Sequence, residues 1–153
     1  IHQRHLEIGR AEVLAEGRDV TLVAIGRMVQ ESLAAAEILR DEGLDVGVVN
    51  ARFIKPLDTN LLTELPRRCP HIVTLEDNVL SGGFGAAVLE TLNTAGIPGA
   101  HCHCIGLPDQ FVEHGDLKTL FQRYGLSAAQ IAGRVRDWVT IDEMAAGAGR
   151  KIR

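Results

Sequence analysis

The sequence specifies an α/β domain on a mainly parallel sheet, and three observations lead there. A continuous apolar run, Val20-Thr21-Leu22-Val23-Ala24-Ile25, stops at Gly26 and reads as a strand buried on both faces. Behind it Val29, Leu33, Ala36 and Leu39 recur at helical spacing until Gly43, and Val46-Gly47-Val48-Val49 opens a second β-branched run. Strand, helix and strand in that order make a right-handed βαβ unit, and the apolar run at 71–75, followed by a loop and an amphipathic stretch from Ala86, repeats the alternation.

The remaining elements fill in around that frame. Residues 1–16 mix charges with Leu6, Ile8, Val13 and Leu14, too polar for a central strand, so an edge strand or a covering arm is expected. Asp58 stands where an N-cap belongs, ahead of a helix carrying Leu61, Leu62 and Leu65. Pro66 and Pro70 frame the turn into the strand at 71–75, which ends in Glu76-Asp77-Asn78. Ala86, Val88, Leu89 and Leu92 form the next helix face, Ile97-Pro98-Gly99 a turn, and 100–105 a short strand closing on Gly106-Leu107-Pro108-Asp109. A helix over 116–124 turns Leu117, Leu120 and Phe121 inward and stops at Gly125. Ser127-Ala128-Ala129-Gln130 reads as a capping box opening a last helix with Ile131, Val135 and Trp138. Residues 1–139 are expected to form one domain, and the Ala/Gly-rich stretch 140–153 a tail that is mobile or borrowed by a neighbour.

A chain of 153 residues is one domain in size, and 46% hydrophobic with 24% charged residues is an ordinary globular composition. The net charge of -4 speaks against nucleic acid, for which a basic stripe is expected. No apolar run approaches the roughly 18 residues of a membrane helix, and no signal-peptide pattern opens the chain, so no membrane partner is expected. Three cysteines, Cys69, Cys102 and Cys104, lack a framework spacing and fit a reducing, cytoplasmic setting.

Arg52 is the leading candidate for function. In Asn50-Ala51-Arg52-Phe53-Ile54-Lys55-Pro56-Leu57-Asp58 the guanidinium follows the end of a core strand, where ligands gather in open α/β sheets. Pro56 breaks the chain before the helix, and the Asp58 carboxylate takes the helix N-terminus a phosphate might occupy, leaving an anion to Arg52. Two readings stand: Arg52 meets an anionic substrate, or it pairs with a carboxylate such as Asp58 and does nothing else.

Other candidates are weaker. Gly82, Gly83 and Gly85 invite a dinucleotide reading, but the third position of the fingerprint is Val88, so the glycines are expected to allow close backbone approach and to start the helix. In His101-Cys102-His103-Cys104 the histidines share one face of a strand and the cysteines the other, so four ligands cannot converge on one zinc. Glu76, Asp77 and Asn78 leave a strand where function concentrates, or form a solvated turn or cap, and His114 is a loop histidine to which no role is given. No Gly-x-Ser-x-Gly elbow, P-loop or Gly-Asp-Gly thiamine motif occurs, so the catalytic set is incomplete.

Three ordered segments carry a resemblance: residues 50–58, Val73-Thr74-Leu75-Glu76-Asp77-Asn78-Val79-Leu80-Ser81-Gly82-Gly83-Phe84-Gly85, and Ile105-Gly106-Leu107-Pro108-Asp109-Gln110-Phe111-Val112-Glu113-His114-Gly115. With Tyr124-Gly125-Leu126-Ser127-Ala128-Ala129-Gln130-Ile131, and over roughly 8–139, the chain resembles the C-terminal domain of the 1-deoxy-D-xylulose-5-phosphate synthases. The resemblance implies a three-layer α/β/α sandwich on a five-stranded, mostly parallel sheet with one antiparallel edge strand. It implies an enzyme, thiamine-diphosphate- and magnesium-dependent, that condenses pyruvate with glyceraldehyde 3-phosphate and releases carbon dioxide, toward isoprenoid and thiamine precursors. It places cofactor and metal in preceding domains, expects a homodimer, and makes Arg52 the residue that holds the sugar phosphate, with no catalytic residue in this segment. The alternatives are the equivalent domain of another thiamine-dependent transketolase or 2-oxoacid dehydrogenase β subunit, or a non-catalytic ligand-binding module of the same fold.

Overall fold

The structure, a computed structural model, describes residues 6–97, 100–145 and 147. The turn at Pro98-Gly99, and most of the chain beyond 145, lie outside the described residues. Strands β1 (Glu12–Ala15), β2 (Val20–Ala24), β3 (Val46–Asn50), β4 (His71–Val79) and β5 (His101–Leu107) form one sheet in the order β1-β3-β2-β4-β5. β1 runs antiparallel to β3 and every other pair is parallel. The polar opening segment thus becomes the antiparallel edge strand, its ends half-buried and its middle exposed.

Helices α1 (Met28–Asp41), α2 (Thr59–Arg68), α3 (Phe84–Thr94), α4 (Leu117–Tyr124) and α5 (Ala128–Ala145) cover both faces. Strand alternation divides the core. Val20, Leu22 and Ala24 join Met28, Leu39, Phe121, Ile131 and Val135 on the side of α1, α4 and α5. Val23, Val49 and Ile72 join Leu62, Leu65, Phe84 and Val88 on the side of α2 and α3. The result is the expected three-layer sandwich.

Several details differ from expectation. α1 turns Met28, Ser32, Ala35, Ala36 and Leu39 to the sheet and leaves Leu33 at 37% exposure, because small residues let the helix approach closely. Ser32 is tolerated there since its hydroxyl donates to the Met28 carbonyl at 2.7 Å. β4 continues past Leu75 to Val79, with an irregular register against β5 between those residues. The capping box is replaced by a contact across the fold: Ser127 Oγ donates to Gln130 Oε1 at 2.7 Å, and the Ala128 N–H donates to Glu31 Oε2 of α1 at 2.8 Å. Leu117 and Leu89, expected inward, are 41% and 44% exposed.

Of the stretch 140–153 expected to be a tail, residues 140–145 instead belong to α5, which runs on to Ala145. Its last turns are held by Asp142, whose Oδ2 lies 2.9 Å from His71 Nε2 and whose Oδ1 lies 3.0 Å from His101 Nδ1. Helical periodicity faded there because polar contacts to β4 and β5, not apolar ones, fix that stretch.

Candidate functional site

The carboxyl edge of the sheet is tied together just beyond its ladders. Ala51 N–H donates to Ala24 O at 2.8 Å, and Ile25 N–H donates to Leu75 O at 3.1 Å, so the ends of β2, β3 and β4 leave at one level. The chain leaves β3 on one side of β2 and returns as β4 on the other, the reversal at which open α/β sheets form ligand crevices. Arg52 leaves β3 there, and Asp77 lies beside Gly26 at the end of β2.

Arg52 has a left-handed backbone with φ 58°. For a residue with a Cβ this costs on the order of 1–2 kcal/mol, and such conformations cluster at functional positions. Asn50 holds it in place, its Oδ1 accepting the Arg52 N–H at 3.0 Å. The Arg52 guanidinium, 22% exposed, donates from Nη2 to Glu12 Oε2 at 2.5 Å. Asp58, the partner first considered, is engaged elsewhere: its Oδ1 accepts the Leu61 N–H at 3.1 Å and its Oδ2 the Ala11 N–H at 3.0 Å. That carboxylate caps α2 as expected and also pins the approach to β1. A groove of about 450 Å³ between β1 and α2, lined by Arg10, Asp58, Glu64 and Arg68 among others, does not include Arg52.

Glu76 is 1% exposed. Its Oε2 accepts the Phe84 N–H at 2.7 Å and its Oε1 the Gly85 N–H at 2.9 Å, so it closes the N-terminus of α3 from inside the fold. The glycines serve this approach. A Cβ on Gly83 would strike the Glu76 carboxylate, and one on Gly85 would come within 2.6 Å of Thr74 Oγ1 and 2.7 Å of Cys104 Sγ. Of the segment singled out at the end of β4, Glu76 therefore has a structural task, while Asp77 is half-buried and Asn78 exposed.

β5 separates its side chains as alternation requires. His103 stacks on Trp138 of α5 at 5.3 Å between ring centroids, with His71 edge-on to the same indole at 5.3 Å. Burial, then the nearby Arg134, pushes the His103 imidazole down from its ordinary value. Cys102 packs into the α2–α3 side of the core. The Cys104 thiol is drawn down by the hydrogen bond from Cys102, and Cys102 is pushed up by the same bond and by burial. His114 is exposed.

A family model described as the transketolase C-terminal domain matches residues 9–131. The chain belongs to the transketolase C-terminal domain family. This transketolase C-terminal domain is 50% identical over 130 residues to the 1-deoxy-D-xylulose-5-phosphate synthase of Pelotomaculum thermopropionicum, covering 85% of this chain and 20% of that one. It is 47% identical over 134 residues to synthase 1 of Geobacter metallireducens, covering 88% of this chain and 21% of the relative. The chain thus spans about a fifth of the length of these relatives. Among solved structures it is similar to a split gene transketolase, an inactive beta4 tetramer, with TM-score 0.82 and 36% identity over 90% of this chain and 44% of that one. The transketolase of Campylobacter jejuni shares the fold, with TM-score 0.61 and 20% identity over 84% of this chain and 18% of the other.

Thiamine diphosphate and a divalent metal find few ligands among the described residues of this transketolase C-terminal domain. A diphosphate would look for helix N-termini. Those of α2, α3, α4 and α5 already receive Asp58, Glu76, Asp116 and Glu31, and that of α1 follows Arg27 with no side-chain cap hydrogen bond. Among the described residues no group of three or more His, Cys, Asp or Glu is arranged to hold a metal ion. Sequence reasoning placed Arg52 just past the end of β3 but missed both groups that hold it. Asn50 was within the quoted motif, and an Asx side chain two residues before a strained position is a usable signal. Glu12 is 40 residues away, and only the β1–β3 register, Glu12 opposite Asn50, brings it near.

Proposed function

We propose that this chain is the C-terminal domain of a 1-deoxy-D-xylulose-5-phosphate synthase, a thiamine-diphosphate- and magnesium-dependent enzyme condensing pyruvate with glyceraldehyde 3-phosphate, and that Arg52 holds the sugar phosphate. The observation that carries the reading is Arg52 itself, strained in the left-handed region at the carboxyl edge, with one of its five N–H donors given to Glu12. The relatives at up to 50% identity supply the reaction. Cofactor and metal belong to domains that precede this segment in the complete enzyme, which acts as a homodimer in the cytoplasm. Ile54 at 39% and Phe111 at 86% exposure flank the carboxyl edge and suit cover by those domains.

Guanidinium and phosphate pair bidentately, and a hydrogen bond to a charged group contributes roughly 1.5–3 kcal/mol. Arg52→Ala in the complete enzyme is expected to lower kcat/KM for glyceraldehyde 3-phosphate by about tenfold to a hundredfold or more. Arg52→Lys keeps the charge but not the planar fork, so rescue is partial. Steady-state kinetics with kcat/KM unchanged in Arg52→Ala would leave Arg52 an ordinary ion pair and overturn the reading.

A further inference from the structure

Resting on the reading of Arg52 as the phosphate ligand, we infer that Glu12 is a positioning residue for acceptor phosphate, acting on the substrate only through the Arg52 guanidinium. Glu12 opens β1 and faces Asn50 across the antiparallel ladder, two residues before Arg52. Its Oε2 receives a single Arg52 N–H at 2.5 Å, while the two side chains keep 26% and 22% exposure. Asn50 fixes the Arg52 backbone from below, and Glu12 fixes the far end of the side chain. A long, rotamer-rich arginine is thereby held at both ends before any ligand arrives.

The pairing geometry decides between guidance and neutralisation. A two-bond, fork-to-fork pair would occupy the donors a phosphate needs. One bond from Nη2 orients the plane and leaves the remaining N–H groups of the guanidinium for an anion. The Glu12 charge opposes a phosphate, so the positioning role requires that orientation outweigh repulsion. Glutamine separates the two effects, because it keeps an acceptor oxygen and drops the charge.

The test compares kcat/KM for glyceraldehyde 3-phosphate with that for unphosphorylated D-glyceraldehyde in the complete enzyme. Glu12→Ala is expected to lower that ratio by about threefold to tenfold, mainly through KM for the phosphorylated acceptor. Glu12→Gln should stay within about twofold of the parent, and Glu12→Ala added to Arg52→Ala should change the ratio no further. A ratio unchanged or raised by Glu12→Ala, equal losses in the Ala and Gln variants, or an undiminished loss in the Arg52→Ala background each overturns the positioning role while leaving Arg52 as the ligand. A ratio unmoved by Arg52→Ala overturns the reading of Arg52 and the role of Glu12 with it.

Discussion

A carboxylate as enclosed as that of Glu76 has to be matched by donors, and the two it finds are backbone N–H groups that nothing else in α3 can satisfy. Removing it strands both. Glu76→Ala is therefore expected to lower stability by about 2–4 kcal/mol in urea unfolding, since each buried donor left unpaired costs roughly 1–3 kcal/mol. Glu76→Gln retains one good acceptor and should lose about half as much; equal stability of all three proteins would show that water takes over the cap. The same residue marks what a sequence can and cannot disclose. Asp58 was legible as a cap because it directly precedes its helix, whereas Glu76 lies in a strand eight residues before the N–H it binds. Arg52 was legible from its place after an apolar run. Its partner was not, because Asp58, nearer in sequence, was already committed to Leu61 and Ala11.

Strands and helices were the most readable parts, with errors concentrated where polar contacts or small residues replaced large apolar ones. α5 is the clearest example: no apolar period marks 140–145, yet Asp142 bridges His71 at the start of β4 and His101 at the start of β5. His71 is held from its other nitrogen too, Nδ1 donating to the Asp19 carbonyl at 3.0 Å. If this bridge secures the end of the helix, Asp142→Ala should speed amide exchange over 140–145 while leaving 131–135, buried against α1 and the sheet, protected. Uniform protection in the variant would mean that Trp138 and Val139 suffice. At α4 the cap is exposed and titrates. Hydrogen bonds from the Thr119 backbone and then its hydroxyl hold the Asp116 carboxyl below its ordinary value. Because the folded value is depressed, the cap's contribution is present above the unfolded pKa and is lost as pH falls through the lower, folded one. An NMR titration of Asp116 should place its midpoint below that of an aspartate in the unfolded chain, and Thr119 exchange should quicken as pH falls through it.

The whole domain distributes its charges in a way that limits which anions it can hold. Helix N-termini are the cheapest anion sites a protein has, because N–H groups and the macrodipole come with the fold. Here the chain fills those of α2, α3, α4 and α5 with its own carboxylates, two of them, Asp58 and Glu76, buried. The N-terminus of α1, with Arg27 at its N-cap position, receives no side-chain cap hydrogen bond. At α2, α3, α4 and α5, therefore, a diphosphate finds no vacant backbone cradle, and α1 is the N-terminus these carboxylates leave open. The core, in contrast, is complete on both faces of the sheet, with Leu22, Met28, Ile72 and Phe84 wholly enclosed. These two facts make a joint prediction for residues 1–153 produced alone. The chain should unfold cooperatively in urea, as a domain with its own core does. Titration calorimetry with thiamine diphosphate and magnesium, under the same folded conditions, should give no saturable heat. Stoichiometric binding would mean that the diphosphate takes the open N-terminus of α1 or displaces one of these carboxylates, and in the second case Glu76→Gln would tighten binding. Without a cooperative transition, the enclosed core would depend on the preceding domains, and the calorimetric silence would lose its meaning.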